Sequence, residues 1–75
     1  MDYETFMNEA RAAIVAKEAA EGHTVAVNEL LSLWNSSALN VRKALFFGDK
    51  NNRLYIVTAD TLSPAISVQT FTTVD

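Results

Sequence analysis

The spacing of apolar residues changes at Gly48, and this change limits the possible folds of the 75-residue chain more than any other feature. Before Gly48, apolar residues recur every three or four positions, which is the period of a helix with one buried face. After it, "RLYIVTA" and "AISVQTFTTV" are rich in β-branched residues and alternate, as strands do. The chain is therefore predicted to be one α+β domain over residues 1–75, with three helices followed by an antiparallel β-hairpin.

The first helix is predicted from its two ends. Asp2 can cap its N-terminus, and Glu4 in the first turn is favoured by the helix dipole. Gly22 is a natural stop, because helices commonly end at a residue with positive φ. Glu18 and Glu21 fall in the last turn, where the dipole opposes them, so we expect that end to be solvated. Apolar residues at helical spacing form one face, namely Tyr3, Phe6, Met7, Ala10, Ala13 and Ile14.

Two more helices are predicted between Gly22 and Gly48. Residues 23–28 are expected to form a short extended piece, although a helix beginning at Thr24 is the alternative. The second helix then runs from about residue 28 to 35. Ser36 or Ser37 can cap a third helix, which ends near Gly48.

The segment before Gly48 has a second interpretation. The three- and four-residue spacing of Val41, Ala44 and Leu45 favours the third helix. Alternatively, "KALFF" is a strand that pairs with "RLYIV" across the turn-forming residues "GDKNN".

The periods also predict which side chains are buried. One of Phe46 and Phe47 is expected to pack inward, whereas the other is expected to be exposed and available for a partner. Trp34 completes an apolar stripe and is expected to be buried. The predicted central core consists of Leu30, Trp34, Val41, Leu45, Ile56 and Val68 with Phe6 and Ile14.

Composition and charge narrow the possible classes of protein. The chain has no cysteine, which excludes disulfides and thiolate metal sites. Its N-terminus is acidic and no long apolar run follows, so we expect a soluble, cytoplasmic protein. Residues 1–29 carry six acids and two bases, whereas residues 30–75 carry four bases and three acids. The overall acidity argues mildly against nucleic acid binding, but the basic residues are concentrated in the second half of the chain.

The stretch "ELLSLWNSSALNVRKAL", residues 29–45, resembles the helix-turn-helix of winged helix-turn-helix DNA-binding domains. "ELL" is similar to the opening of the family's first motif helix. "NSS" stands where the turn usually has glycine, and asparagine tolerates the left-handed backbone needed there. "NVRKAL" looks like a recognition helix. The chain departs from the family pattern at Leu31, which replaces a small residue, and at Ser36, which replaces an apolar one.

This resemblance implies a small transcriptional regulator that binds double-stranded DNA, with a helix-turn-helix at about residues 28–47. The third helix would enter the major groove, where Arg42 could recognise guanine and Asn40 adenine. Lys43 would contact phosphate. Homodimerisation is expected, because one short helix buries little surface. The implied DNA-binding residues are Ser37, Asn40, Arg42, Lys43, Lys50 and Arg53.

Simpler interpretations apply to the same residues. Arg42 and Lys43 fit a solvated helix face equally well. His23 has no evident carboxylate or second histidine as a partner, so we expect neither a metal site nor a cofactor. The acids of the first helix do not converge, and we interpret the chain as a non-enzyme. The alternative function is a small protein-binding module, such as a phage- or mobile-element-type inhibitor or adaptor. It would act through the acidic first helix or an exposed aromatic patch at Phe46 and Phe47.

Overall fold

The fold is one helix packed on a four-stranded antiparallel sheet, as a computed structural model shows for residues 2–38, 40–60 and 63–72. Helix α1 is followed by a short 3-10 turn and then by four strands, which lie side by side in the order β1-β2-β3-β4. No helix in these ranges is long and apolar enough to cross a membrane. The elements are α1 Tyr3–Ala20, the turn Val27–Glu29, β1 Leu30–Ala38, β2 Val41–Gly48, β3 Arg53–Asp60 and β4 Ser63–Thr72.

The predicted second and third helices are wrong, and so is the three-helix architecture. The segment that resembles a helix-turn-helix forms the β1–β2 hairpin, in which Ser36 lies opposite Lys43. The alternative pairing of "KALFF" with "RLYIV" is confirmed, since Phe47 lies opposite Leu54 across the β2–β3 turn. Residues 23–26 have no regular structure.

The predicted C-terminal hairpin is confirmed as the β3–β4 pair, in which Val57 lies opposite Val68. Its turn at residues 61–62 and the last two positions of the predicted final strand, 73 and 74, lie outside the described residues.

A bulge in β1 explains why apolar residues of this strand have the three-residue spacing that is typical of a helix. The pairing of β1 with β2 shifts between Ser32 and Trp34, so Leu33 is an extra residue with no partner of its own. Side chains on a strand alternate between faces, and one inserted residue reverses the alternation beyond it. Leu31 and Trp34, three positions apart, therefore lie on the same face of the sheet. In the sequence that spacing is indistinguishable from one turn of helix.

Both predicted ends of α1 are confirmed. The Asp2 carboxylate accepts a hydrogen bond of 2.7 Å from the Thr5 backbone N–H, which satisfies one of the free donors of the first turn. Gly22 has a φ of 85° and follows the last turn, where its N–H donates to the carbonyl of Ala19. The helix is therefore 18 residues long because a capping side chain starts it and a glycine ends it.

The core lies between α1 and one face of the sheet. Ala10 and Ile14 are fully buried, and the small side chains of Ala44 and Ala59 lie beneath the helix. Arg11 extends over the ring of Phe46, with its guanidinium carbon 5.3 Å from the ring centroid. The buried apolar residues are Phe6, Met7, Ala10, Ile14, Val25, Leu30, Ala44, Phe46, Tyr55, Val57 and Ala59, and Val15, Ile66 and Val68 pack at the edge of this core.

The predicted core is only partly right. Phe6, Ile14 and Leu30 are buried, and Val68 packs against the core. Trp34 and Val41 are exposed, because the strand geometry turns them away from α1. Leu45 and Ile56 are half-buried on that same outer side. Phe46 is buried, and Phe47 is half-buried on the opposite side of the sheet.

We expect the two faces of the sheet to differ in their effect on stability. Phe46→Ala should lower the free energy of unfolding by about 3–5 kcal/mol, because it leaves a cavity beneath α1. Phe71→Ala is the matched control, since Phe71 is 48% exposed and Phe46 fully buried. Chemical denaturation of both variants, followed by circular dichroism, measures the difference. Equal losses would contradict the assignment of the core to the helix side.

Candidate interaction surface

The sheet has one face that α1 does not cover, and we call this the open face. Cross-strand partners share a face, so the pairing places the side chains of the open face in rows across the four strands. The first row is Leu31, Phe47, Leu54 and Phe71. The second row is Trp34, Leu45, Ile56 and Gln69. The third row is Ser36, Lys43, Thr58 and Ser67.

The first two rows form a continuous apolar surface. Seven of their eight side chains are large and apolar, and the outermost are the most exposed: Trp34 53%, Phe71 48% and Leu31 45%. Beside Trp34 an open groove of about 340 Å³ runs between β1 and β2 and is lined by Ser36, Ala38, Val41 and Lys43. Soluble monomers rarely expose apolar patches larger than a few hundred Å², and those patches commonly bind a partner.

The open face carries little charge. Among the described residues, its only charged side chains are Lys43 and Asp60, which have opposite signs. The acidic residues Glu4 and Glu9 belong to α1, and Glu21 is its C-terminal cap, so all three lie on the other side of the sheet. Surface charge thus divides the molecule into an acidic helical layer and a nearly neutral, apolar sheet surface.

A second feature is a buried polar cluster beneath the C-terminal end of α1. The Glu18 side chain is 1% exposed. The prediction that the C-terminal end of α1 is solvated is therefore wrong for Glu18. The Tyr55 hydroxyl donates to one Glu18 oxygen at 2.6 Å, and one Arg53 nitrogen donates to both oxygens at 2.9 and 3.0 Å. Asn51 donates to the Tyr55 hydroxyl at 2.8 Å. His23 also has a partner, since its Nδ1 lies 3.3 Å from Glu18.

The cluster shifts two pKa values in opposite directions. Burial raises the pKa of Glu18, but hydrogen bonds from Tyr55 and His23 and the charge of Arg53 together outweigh burial and hold the pKa below its usual 4.5. Burial, followed by the hydrogen bond to Glu18, raises the pKa of Tyr55 to about 12. Glu18 is therefore ionised and Tyr55 neutral at ordinary pH. The cluster is a satisfied ion pair that joins α1 to β3.

The cluster is a poor metal site. Donor atoms of Glu18, Glu21 and His23 lie within 4.8 Å of one another. However, both Glu18 oxygens already accept from Arg53, and the same Arg53 nitrogen lies 3.3 Å from His23 Nδ1. A guanidinium thus supplies positive charge where a metal ion would have to bind, and Coulomb repulsion opposes a second cation there.

The six residues implied as DNA contacts do not form one surface. Lys43 lies on the open face, whereas Ser37 and Arg42 are partners on the helix side of the sheet. Arg42 is half-buried, and its charge is the smallest cause that lowers the pKa of Asp2, the largest being the hydrogen bond from Thr5.

The other three implied contacts lie at sheet ends. Asn40 is in the β1–β2 turn, and Lys50 is in the β2–β3 turn at the opposite end of β2. Arg53 begins β3 and pairs with Glu18.

Sequence reasoning missed Trp34 as a surface residue and Glu18 as a buried one. Two weak signals bear on them. In "LLSLWNSSA", Asn35 follows Trp34 directly and Ser32 precedes it by two positions, and such a mixture of polar and apolar residues fits a strand with one solvated face as well as a helix. Glu18 continues the apolar series Ala10 and Ile14 at four-residue spacing, which places it on the buried face of α1.

Because Trp34 is 53% exposed, we expect Trp34→Ala to change the free energy of unfolding of the monomer by only about 0.5 kcal/mol. In solutions dilute enough to keep the chain monomeric, acrylamide should also quench the tryptophan fluorescence of the wild type far more readily than that of a buried indole. Thermal denaturation and quenching measure the two effects. A loss of about 3 kcal/mol or more would place Trp34 in a core.

The Glu18 cluster should make stability depend on pH in acid. A carboxyl whose pKa is lowered by folding adds stability above its unfolded pKa, near 4.5, and loses it as pH falls through the lower folded value. The free energy of unfolding should therefore decrease below about pH 4.5. Glu18→Gln should lower the free energy of unfolding at pH 7 and weaken its dependence on pH. Tyr55→Phe should lower the free energy of unfolding by about 1–3 kcal/mol at neutral pH, because it removes a hydrogen-bond donor from a buried carboxylate. Urea titrations across pH measure both effects, and Glu21→Gln is the exposed control. An unchanged pH dependence in Glu18→Gln would contradict this role.

No protein-family model, curated protein or solved structure matches this chain.

Proposed function

We propose that this chain is a small protein-binding module whose binding surface is the open face of the sheet. The observation that carries the proposal is the pair of apolar rows, which expose Trp34, Phe71 and Leu31 together on one side of a two-layer fold. A folded chain that exposes such side chains loses the free energy of burying them, about 25 cal/mol per Å² of apolar surface. A partner that covers the face recovers that free energy on binding.

The composition of the face fits protein recognition. Protein interfaces have an apolar centre enriched in aromatic residues and depleted in charge, with a polar rim. Here Phe47, Leu54, Leu45 and Ile56 occupy the central strands, while the third row supplies hydroxyl groups at one end. Trp34 is the side chain best suited to dominate binding, because tryptophan is enriched among hot-spot residues.

DNA binding remains a prediction, and the features that favoured it are weaker in this fold. The segment predicted as the recognition helix, "NVRKAL", lies mainly in strand β2. The six implied DNA contacts lie on both faces and at both ends of the sheet. Nucleic acid binding depends on several cations that neutralise phosphates together. On the described part of the open face, Lys43 is the single cation. Charge therefore favours a protein partner over an oligonucleotide.

The acidic helix offers a less favourable protein-binding surface. Its exposed residues include the charged Glu4 and Glu9, and isolated charges on a surface contribute little to affinity. The exposed aromatic side chains lie on the sheet. We therefore assign binding to the open face, with the helix serving as its support.

Site-specific photo-cross-linking tests this function. A benzophenone derivative of phenylalanine at position 71, a conservative replacement on the open face, should give a discrete adduct in extract of the cells that naturally make the protein. A benzophenone amino acid at position 9, on the exposed side of α1, should not give that adduct. Trp34→Asp, introduced together with the label at position 71, should abolish it, because Trp34 is on the same face.

Two controls make the result decisive. Val27→Asp changes a side chain of similar exposure, 52%, that lies outside the four strands, and it should leave the adduct intact. Circular dichroism establishes that each variant is folded. Absence of any adduct from position 71, or equal adducts from positions 71 and 9, would overturn the proposed function. An adduct to nucleic acid that depends on Lys43 would overturn it in favour of DNA or RNA binding.

A further inference from the structure

We infer that the occupant of the open face is a second copy of this chain, bound face to face. This inference rests on the proposed function and adds the identity of the partner. It follows from three properties of the face: its size, the order of its rows, and the position of its charges.

The size of the face matches a small homodimer interface. Four strands about 4.8 Å apart and eight residues of about 3.3 Å each give a surface of roughly 19 by 26 Å, or about 500 Å² in projection. Each copy would therefore bury about 500 Å² and a dimer about 1,000 Å² in total. Specific protein interfaces begin near that area.

The rows are compatible with a two-fold axis that runs parallel to the strands. Such an axis lays β1 of one copy over β4 of the other and keeps each row over the same row of the partner. Leu31 of one copy then lies over Phe71 of the other, and Phe47 lies over Leu54. Trp34 faces Gln69, whose amide oxygen can accept the indole N–H. Apolar rows therefore cover apolar rows, and hydroxyl rows cover hydroxyl rows.

The charges also agree with this arrangement. The axis places Lys43 of one copy over Thr58 of the other, one row from Asp60, so the two lysines do not face each other. The acids of α1 remain on the two outer layers. Packed layers are about 10 Å apart, so the two helices lie about 30 Å from each other, well beyond the Debye length of about 8 Å. The net charge of −3 per chain thus opposes association only weakly.

Sedimentation equilibrium of the purified chain over a wide concentration range tests the inference. We expect a monomer–dimer equilibrium. Trp34→Asp should weaken dimerisation by about 30-fold or more, the effect of a hot-spot residue, whereas Val27→Asp should leave it unchanged. Both positions are about half exposed, at 53% and 52%, so neither variant is expected to unfold the chain. A monomer at every concentration, or a dimer indifferent to Trp34→Asp, would overturn the inference.

Cysteine cross-linking tests the register, because the natural chain contains no cysteine. A mixture of Leu31→Cys and Phe71→Cys copies, treated with a short bis-maleimide, should cross-link between the two variants. Each variant alone should cross-link much less, since identical positions lie on opposite edges of the dimer, about 14 Å apart across the sheet. Preferential cross-linking of Leu31→Cys to itself would overturn this axis.

The failure of this inference is distinguishable from failure of the proposed function. The mass of the photo-adduct from position 71 identifies the partner, since an adduct of twice the mass of this chain contains a second copy. An adduct of a different mass, together with a monomer in sedimentation, would overturn the inference that the partner is a second copy. The proposed protein-binding function would then stand. No adduct and no dimer overturn both.

Discussion

The structure depends on one geometric constraint: a sheet has two faces, and the described residues provide a single α-helix to cover them. A four-stranded sheet whose central strands are apolar on both sides needs a layer on each side to remove its side chains from water. Helix α1 covers the side that carries Phe46, Tyr55 and Val57. The side that carries Trp34 and Phe71 has no such layer among the described residues. The stability of the chain and its proposed binding both follow from this imbalance.

The Glu18 cluster helps to decide which face the helix covers. A buried carboxylate is costly unless hydrogen bonds and an opposite charge compensate it. Here Tyr55 and Arg53, both on the helix side of β3, provide that compensation, and Asn51 holds the Tyr55 hydroxyl from the preceding turn. If α1 packed against the open face, Glu18 would meet Leu54 and Ile56 in place of these partners. The polar cluster therefore gives the helix–sheet packing a specificity that apolar burial on either face would not supply.

What could be predicted from the sequence was what depends on local chemistry. Asp2 and Gly22 define α1 through capping and positive φ, and β3 and β4 alternate in the ordinary way, so both were predicted. β1 and β2 were not, because their helix-like spacing arises from the bulge at Leu33 and from apolar residues on both faces of β2. A bulge is a property of two paired strands, and one strand's own residues do not reveal it.

The same distinction applies to the open face: features that depend on neighbouring residues could be predicted, and features that depend on strand pairing could not. That one of Phe46 and Phe47 faces inward and the other outward follows from either a strand or a helix, and the structure has Phe46 buried and Phe47 on the open face. Trp34 required knowledge of the pairing: without the bulge, alternation from Leu31 would place Trp34 under α1 and Leu33 on the open face.

The bulge also determines which side chain of β1 the open face presents. It moves the largest side chain of β1 from the covered side of the sheet to the open one, where Trp34 lies beside Leu45 in the second apolar row. Bulges on edge strands also increase local twist and discourage pairing with another strand edge to edge. β1 is such an edge strand, and its free edge would otherwise be a site for open-ended association. The one inserted residue disturbs the edge and enlarges the apolar face, so it favours the proposed association through the face, which closes after one partner has bound.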